Sequence, residues 1–275
     1  MSKTVFITGC SSGIGRATAK RFAQNGWNVV ATMRHPEAES DLTQIDRVLL
    51  LPLDVTEREH ITSAVEAGIA QFGRIDALIN NAGYGQYGLF EAISPESIQA
   101  QFAVNVFGVM DVTRALLPHF RANQAGIIVN VSSGAGIFTL PMMSLYCASK
   151  FALEGFSEAL AYELASQNIR VKLIEPHGGV SSTNFGARSV GDLALDASLT
   201  DYDEFVARTN ATFAAMMGAP MVSADDVGQL IWAAVTDGAD RLRYLIGDDA
   251  RGFVKARREL SDQAYVDFMR SYFRK

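Results

Sequence analysis

The chain has 275 residues, 48% hydrophobic and 20% charged, which is ordinary globular usage and excludes a disordered chain. That length accommodates one large domain with a sizeable core. A net charge of −6 offers no attraction for nucleic acid or an anionic membrane surface, and the one basic cluster, 251–259, sits among acids in a helix-like stretch. Cys10 and Cys147 lie far apart without metal-ligand spacing, so neither zinc nor a disulfide framework is expected. The first ten residues hold too few apolar positions for a signal peptide. No run approaches ~18 apolar residues, so the expectation is a cytoplasmic chain with no membrane partner.

In chain order, short β-branched runs alternate with amphipathic stretches. Residues 3–9 have a buried-strand pattern, and 13–26 a helical one closed by a glycine. Strands are predicted over 27–33 and 47–55, a helix over 57–73, and a strand beginning at Asp76. A long helix is predicted from Pro95 to about Phe120, then a strand over 125–133, a helix over 146–167 and a strand over 169–176. Continuous apolar strands separated by helices are buried on both faces, which predicts an α/β doubly wound, mostly parallel sheet with helices on either side. The alternation breaks down over about 177–222, a stretch of the length and irregularity typical of lids and binding loops. A helix opening at Ser223, a strand over 241–247 and a C-terminal helix complete the chain. Without repeats or linkers, residues 1–275 read as a single domain carrying a substrate-covering insertion at about 184–222.

"TGCSSGIG" (8–15) joins the first strand directly to the first helix. Glycines at 9, 13 and 15 let the backbone turn tightly and approach a pyrophosphate seated on the helix N-terminus. Further on, Tyr146 and Lys150 are four apart in a helical segment and therefore share a face. A surface pair of no consequence would have this spacing too. The alternative is chemical: a free phenol has a pKa near ~10, and a unit charge about 4 Å away is worth roughly 4 kcal/mol at an effective dielectric of ~20. On that reasoning one such charge is worth around three pKa units.

Together with "NNAG" (80–83), Asn105 in "VNVFG", "NVSS" (130–133) and "YCASK" (146–150), the glycine turn gives a chain that resembles the short-chain dehydrogenase/reductase family over residues 3–183. It looks most like the hydroxysteroid- and retinol-dehydrogenase-like members. The resemblance implies an oxidoreductase that moves a hydride between a nicotinamide cofactor and a carbonyl or alcohol. It implies Tyr146 as proton donor with Ser133, Lys150 and Asn105 in support. Lys150 together with an oxidised nicotinamide would bring the phenol toward neutrality. Ser133 rather than Ser132 is taken because it lies thirteen residues before the tyrosine. For Asn105 a purely structural amide stays open. It further implies that Gly9, Ser11, Ser12, Gly13, Ile14 and Gly15 hold the pyrophosphate, Asp54 and Val55 the adenine, and Asn81, Ala82 and Gly83 its ribose. Tyr146 and Lys150 also touch the cofactor, as do Pro176, Val180 and Thr183. The chain departs from the family pattern where His177 splits Pro176 from Gly178 and an extra serine precedes Thr183.

At the end of the second strand an acid would bind the adenosine 2′-hydroxyl, whereas an Arg accommodates a 2′-phosphate. Met33 followed by Arg34 therefore points to NADP, with NAD possible. The expected partner is a small-molecule substrate, lipophilic from the Tyr, Phe, Met and Leu content of 83–90 and 137–143. By resemblance the helices near 95–120 and 146–167 build a homodimer or a homotetramer. The competing reading is a redox-sensing regulator that binds NADP without turnover.

Overall fold

The computed structural model describes residues 2–181, 196, 198–217, 221–249 and 251–273. Seven strands make one sheet: β1 (Thr4–Thr8), β2 (Asn28–Met33), β3 (Val48–Pro52), β4 (Ala77–Asn80), β5 (Gly126–Val131), β6 (Ile169–Pro176) and, near the end of the chain, β9 (Arg243–Ile246). Their order is β3-β2-β1-β4-β5-β6-β9 and every pairing is parallel. Side chains alternate between two cores because successive strand residues point to opposite faces. Val5, Ile7, Val29 and Ala31 face one core while Phe6 and Val30 face the other.

The first core is closed by α1 (Gly13–Gln24) and α7 (Ala224–Thr236), through Phe22, Val227 and Ile231. Phe22, Trp27 and Trp232 meet edge to face at 5.0–5.8 Å. Gly228 lets the helices close up: a Cβ there would lie 3.3 Å from the backbone of Ala17 and Thr18. The second core is closed by α2 (Arg58–Phe72), α4 (Val109–Ala122) and α5 (Ser144–Ala165), through Ile61, Leu116, Phe120 and Leu160. Helix α3 (Pro95–Phe102) leads into α4 through a single wide turn, Ala103–Gly108, so the long helix expected from the sequence carries a π-type bulge.

The stretch expected to be irregular contains a fifteen-residue helix, α6 (Asp203–Met217). It also contributes to a two-stranded parallel pair, β7 (Val180–Ser181) with β8 (Val222–Ser223). The single C-terminal helix is two, α8 (Phe253–Glu259) and α9 (Asp262–Phe273). Helix α7 starts where "SADD" predicts it, with Ser223 and Asp226 forming a reciprocal capping box. Among the described residues no helix is long and apolar enough to cross a membrane.

One lysine lies wholly inside this frame. Lys172 of β6 is 1% exposed and donates to Ala234 O (2.6 Å), Asp237 Oδ1 (2.8 Å) and the Tyr244 hydroxyl (2.9 Å). Against the opposing effect of burial, hydrogen bonds from Lys172 and Tyr244 hold the Asp237 carboxyl down at about 2. Its stabilising share is therefore complete above the ordinary carboxylate range and is lost as pH falls toward about 2. Removing Asp237 strands a buried ammonium, whereas removing Lys172 leaves a carboxylate that water reaches. Asp237→Ala should cost about 3–5 kcal/mol in urea unfolding, and Lys172→Met markedly less. Equal losses for the two would show that the pair is not organised around the buried charge.

Candidate active site

Parallel strands bring their C-terminal ends to one edge of the sheet, and the strand order reverses between β1 and β4. A crevice opens at such a switch point. Thr8 holds its two sides together: its Oγ1 accepts the backbone N–H groups of both Asn81 and Ala82 at 3.0 Å. The Asn81 side chain returns the contact, donating to Thr8 O (2.9 Å) and Gly9 O (3.0 Å). Gly9 (φ +74°) and Gly13 (φ +53°) adopt left-handed backbone open to glycine. A Cβ at Gly15 would collide with Gly9 O and the Asn81 amide. The turn then enters α1 from Ser12, whose side chain makes no cap bond, and no acid occupies the first helical turn. The first-turn N–H groups are left for an anion. The Asn81 amide nitrogen thus bonds the chain itself.

Arg34 follows the last residue of β2, is exposed, and makes no salt bridge among the described residues. It lies near Asp54, whose carboxyl is held below its ordinary range because Thr56 hydrogen bonds, with Arg34 and His60 nearby, outweigh burial. Val55 packs into the wide turn, where a Cβ on Gly108 would come within 2.8 Å of it. Two residues passed over in the sequence brace this corner. Arg16 donates to Ser11 O and to Glu39 Oε2, both at 2.6 Å. The other oxygen of buried Glu39 accepts the N–H groups of Asp41 and Leu42. No local pattern marks that pair, whose members are 23 residues apart.

Across the crevice, Ser133 caps the turn Gly134–Gly136, its Oγ accepting from Ala135 N at 3.1 Å. Tyr146 and Lys150, one turn apart on α5, are both buried. Tyr146 hydrogen-bonds Ser133, yet burial dominates and pushes the phenol up to about 12. Lys150 alone therefore does not lower the tyrosine. The Lys150 ammonium, 5.7 Å from the ring centroid, is engaged with Val131 O at 2.9 Å, and burial pulls it down to about 8 while Glu154 opposes. Desolvation outweighs the pairwise attraction inferred from spacing.

Asn105 sits in the wide turn with every amide atom used. Its Oδ1 accepts from Tyr84 N (3.1 Å), and its Nδ2 donates to Tyr84 O (2.8 Å) and Ser149 Oγ (3.1 Å). Gly83 passes directly beside it: a Cβ there would lie 3.2 Å from Asn105 Oδ1. The bonds to the Tyr84 peptide groups are the ones that the purely structural reading of Asn105 describes. Ile14 is half-buried at the start of α1, Pro176 ends β6, and Val180 lies in β7; Thr183 lies outside the described residues. His177 is buried against Gly134, whose added Cβ would lie 2.6 Å from the histidine Cβ, so it backs the Ser133 turn.

The family model for short chain dehydrogenases matches residues 3–191. An uncharacterized oxidoreductase of Schizosaccharomyces pombe is 35% identical over 234 residues, covering 85% of this chain and 96% of its own. A Burkholderia cenocepacia short chain dehydrogenase solved in complex with NADP superposes with a TM-score of 0.77 at 25% identity, over 98% of this chain and 97% of that one. A Burkholderia phymatum short chain dehydrogenase/reductase in complex with NAD gives 0.79 at 26%, over 94% and 93%. A match across more than half of the sequence, carried on an all-parallel seven-stranded sheet with a glycine turn at its switch point, makes this chain a member of the short chain dehydrogenase family of oxidoreductases.

Proposed function

We propose that the protein is an NADP-dependent oxidoreductase interconverting a lipophilic carbonyl and its alcohol, with Tyr146 as the acid and base. The observation that carries this reading is the buried Tyr146 hydroxyl hydrogen-bonded to Ser133, with Lys150 one helical turn away. The bound nicotinamide supplies the hydride. The uncapped first turn of α1 and the exposed Arg34 suit a pyrophosphate and a 2′-phosphate. One of the two solved relatives carries NADP and the other NAD, so the preference for NADP rests on Met33 and Arg34.

Ser133 accepts from Ala135 N, which fixes its hydroxyl beside that of Tyr146, where the two would hold a substrate oxygen. Tyr146, neutral because burial raises it, is in the form that donates a proton as a carbonyl becomes an alcohol. Lys150, anchored on Val131 O, places its positive charge where the resulting phenolate forms. Oxidation needs that phenolate at the outset, so its rate rises with pH. Reduction needs the neutral phenol and the charged lysine, so it declines as pH rises through about 8.

Around Tyr146 the walls are apolar. Met143 packs with Tyr146, Ala135 and Cys147. Tyr87 meets Met142 Sδ at 3.6 Å and the Phe213 ring of α6 at 5.9 Å. Such Met-lined surface adapts to varied apolar shapes.

Tyr146→Phe should abolish carbonyl reduction while leaving NADPH affinity within a few-fold, read by stopped assay and nicotinamide fluorescence. Near-normal turnover by the folded variant would reject the mechanism. Arg34→Ala should weaken NADP by roughly ten- to a hundred-fold, the loss of a charge-assisted contact worth about 1.5–3 kcal/mol, and leave NAD unchanged. Equal losses for both cofactors would remove the 2′-phosphate assignment. Along a series of ketones of rising chain length, kcat/KM should climb by up to about fourfold per buried methylene. If polar sugars outrun every lipophilic ketone, the apolar walls serve packing alone.

A further inference from the structure

Behind the Tyr146 site lies a group of buried charges that the proposed reaction does not use. Glu154 follows Lys150 by one turn of α5, and Glu175 is the penultimate residue of β6. Both are buried, Glu175 completely. The Arg243 side chain of β9 reaches both: its Nε is 3.1 Å from Glu154 Oε2 and 3.4 Å from Glu175 Oε1. The same guanidinium is also committed to Glu158, at 2.6 Å through its NH2 nitrogen. Three carboxyl groups thus compete for one cation, with Arg258 of α8 adding a more distant attraction on Glu175.

Neither oxygen of Glu175 receives a well-formed hydrogen bond from a donor among the described residues. Its closest polar partner besides Arg243 is the other carboxyl, since Glu154 and Glu175 lie within hydrogen-bonding reach of each other. Two carboxylates in that arrangement repel, whereas a carboxylic acid and a carboxylate form a strong bond and satisfy the stranded oxygens. Burial, then the neighbouring Glu154 charge, push Glu175 up to about 7. Burial also raises Glu154, against Ser132, Arg243 and Lys150.

Glu154 touches both halves of the proton-handling site. A Cβ on Gly136, which ends the turn opened by Ser133, would lie 2.9 Å from Glu154 Cγ and 3.3 Å from its Oε1. On the helix side, the Glu154 charge is what opposes the loss of the proton from buried Lys150.

We infer that Glu154 and Glu175 hold one proton between them, clamped by Arg243, and act as positioning residues that brace the Ser133 turn and keep Lys150 charged. The proton comes from and returns to solvent, and the pair passes from one negative charge to two when it leaves. The consequence for catalysis rests on the role given to Lys150 above; the shared proton does not.

Infrared difference spectra of the protein alone test the pair. A neutral carboxylic acid C=O band should be present below the midpoint near 7, fade above it, and be missing from Glu175→Gln. NMR of protein labelled with 13C at lysine tests the coupling, because the chain has six lysines and Lys150→Met identifies the relevant signal. In Glu154→Gln the Lys150 midpoint should fall from about 8 by about one pH unit or more, the scale of one close charge, and Glu154→Asp should restore most of it. Glu175→Gln, which removes the second charge formed above neutrality, should lower that midpoint by less. The alkaline decline of kcat/KM should move with it. A parent without the acid band, a band unchanged in Glu175→Gln, or a Lys150 midpoint unmoved in both glutamine variants would overturn the inference. The spectroscopic measurements need neither cofactor nor substrate, so they decide the shared proton even if the carbonyl–alcohol reading fails.

Discussion

The hydroxyl of Thr8 carries the constraint on which the site depends. It accepts two backbone N–H groups from the segment that follows β4, the parallel neighbour of β1, and Asn81 answers with two bonds to the end of β1 and the turn after it. Parallel pairing leaves the strand ends of a switch point without a hairpin to join them. The cross-tie supplies that connection from side chains. It keeps the glycine turn at a fixed height above β4, and so at a fixed distance from the wide turn bearing Asn105, which stands against Gly83 and Tyr84. Through Ser149 the same asparagine reaches α5, so hydrogen bonds joined by the backbone of residues 82–84 run from the first strand to the helix carrying Tyr146.

Within that frame, burial decides the ionisation states. Tyr146 is kept neutral and Lys150 is brought closer to losing its proton because water is excluded from both, while the Glu154 charge opposes the loss from the lysine. The low-dielectric environment keeps the phenol in its protonated form at neutral pH. It also gives the flanking carboxylates influence that solvent would otherwise screen.

Much of this was legible in the sequence where the signal is local. β6 falls on the residues its apolar run marks, and the four-residue interval puts Tyr146 and Lys150 on one helix. The glycine turn follows from the need for left-handed backbone at Gly9 and Gly13. What could not be read depends on contacts distant in sequence. The partners of Asn105 are 21 and 44 residues away, and those of Arg16 and Arg243 lie on other elements. The rise of the Tyr146 phenol was not readable because spacing reveals the neighbouring ammonium but not the depth at which both groups lie. Helix α6 escaped because asparagine and threonines interrupt its apolar positions. Glu175, the one acid in β6, was the available hint of the buried carboxyl pair.

The close meeting of α1 with α7 also sets an order of events in biosynthesis. Helix α1 ends at Gln24, but the helix that covers it begins at Ala224. While the chain is being made, Phe22 and Trp27 wait some two hundred residues for Trp232, exposing apolar surface that a nascent chain must protect from other chains. The glycine turn is among the first pieces synthesised, yet the support beneath its helix is among the last. Contacts of such long range slow folding, and a fragment ending before α7 would carry every residue of the turn without the floor that holds it.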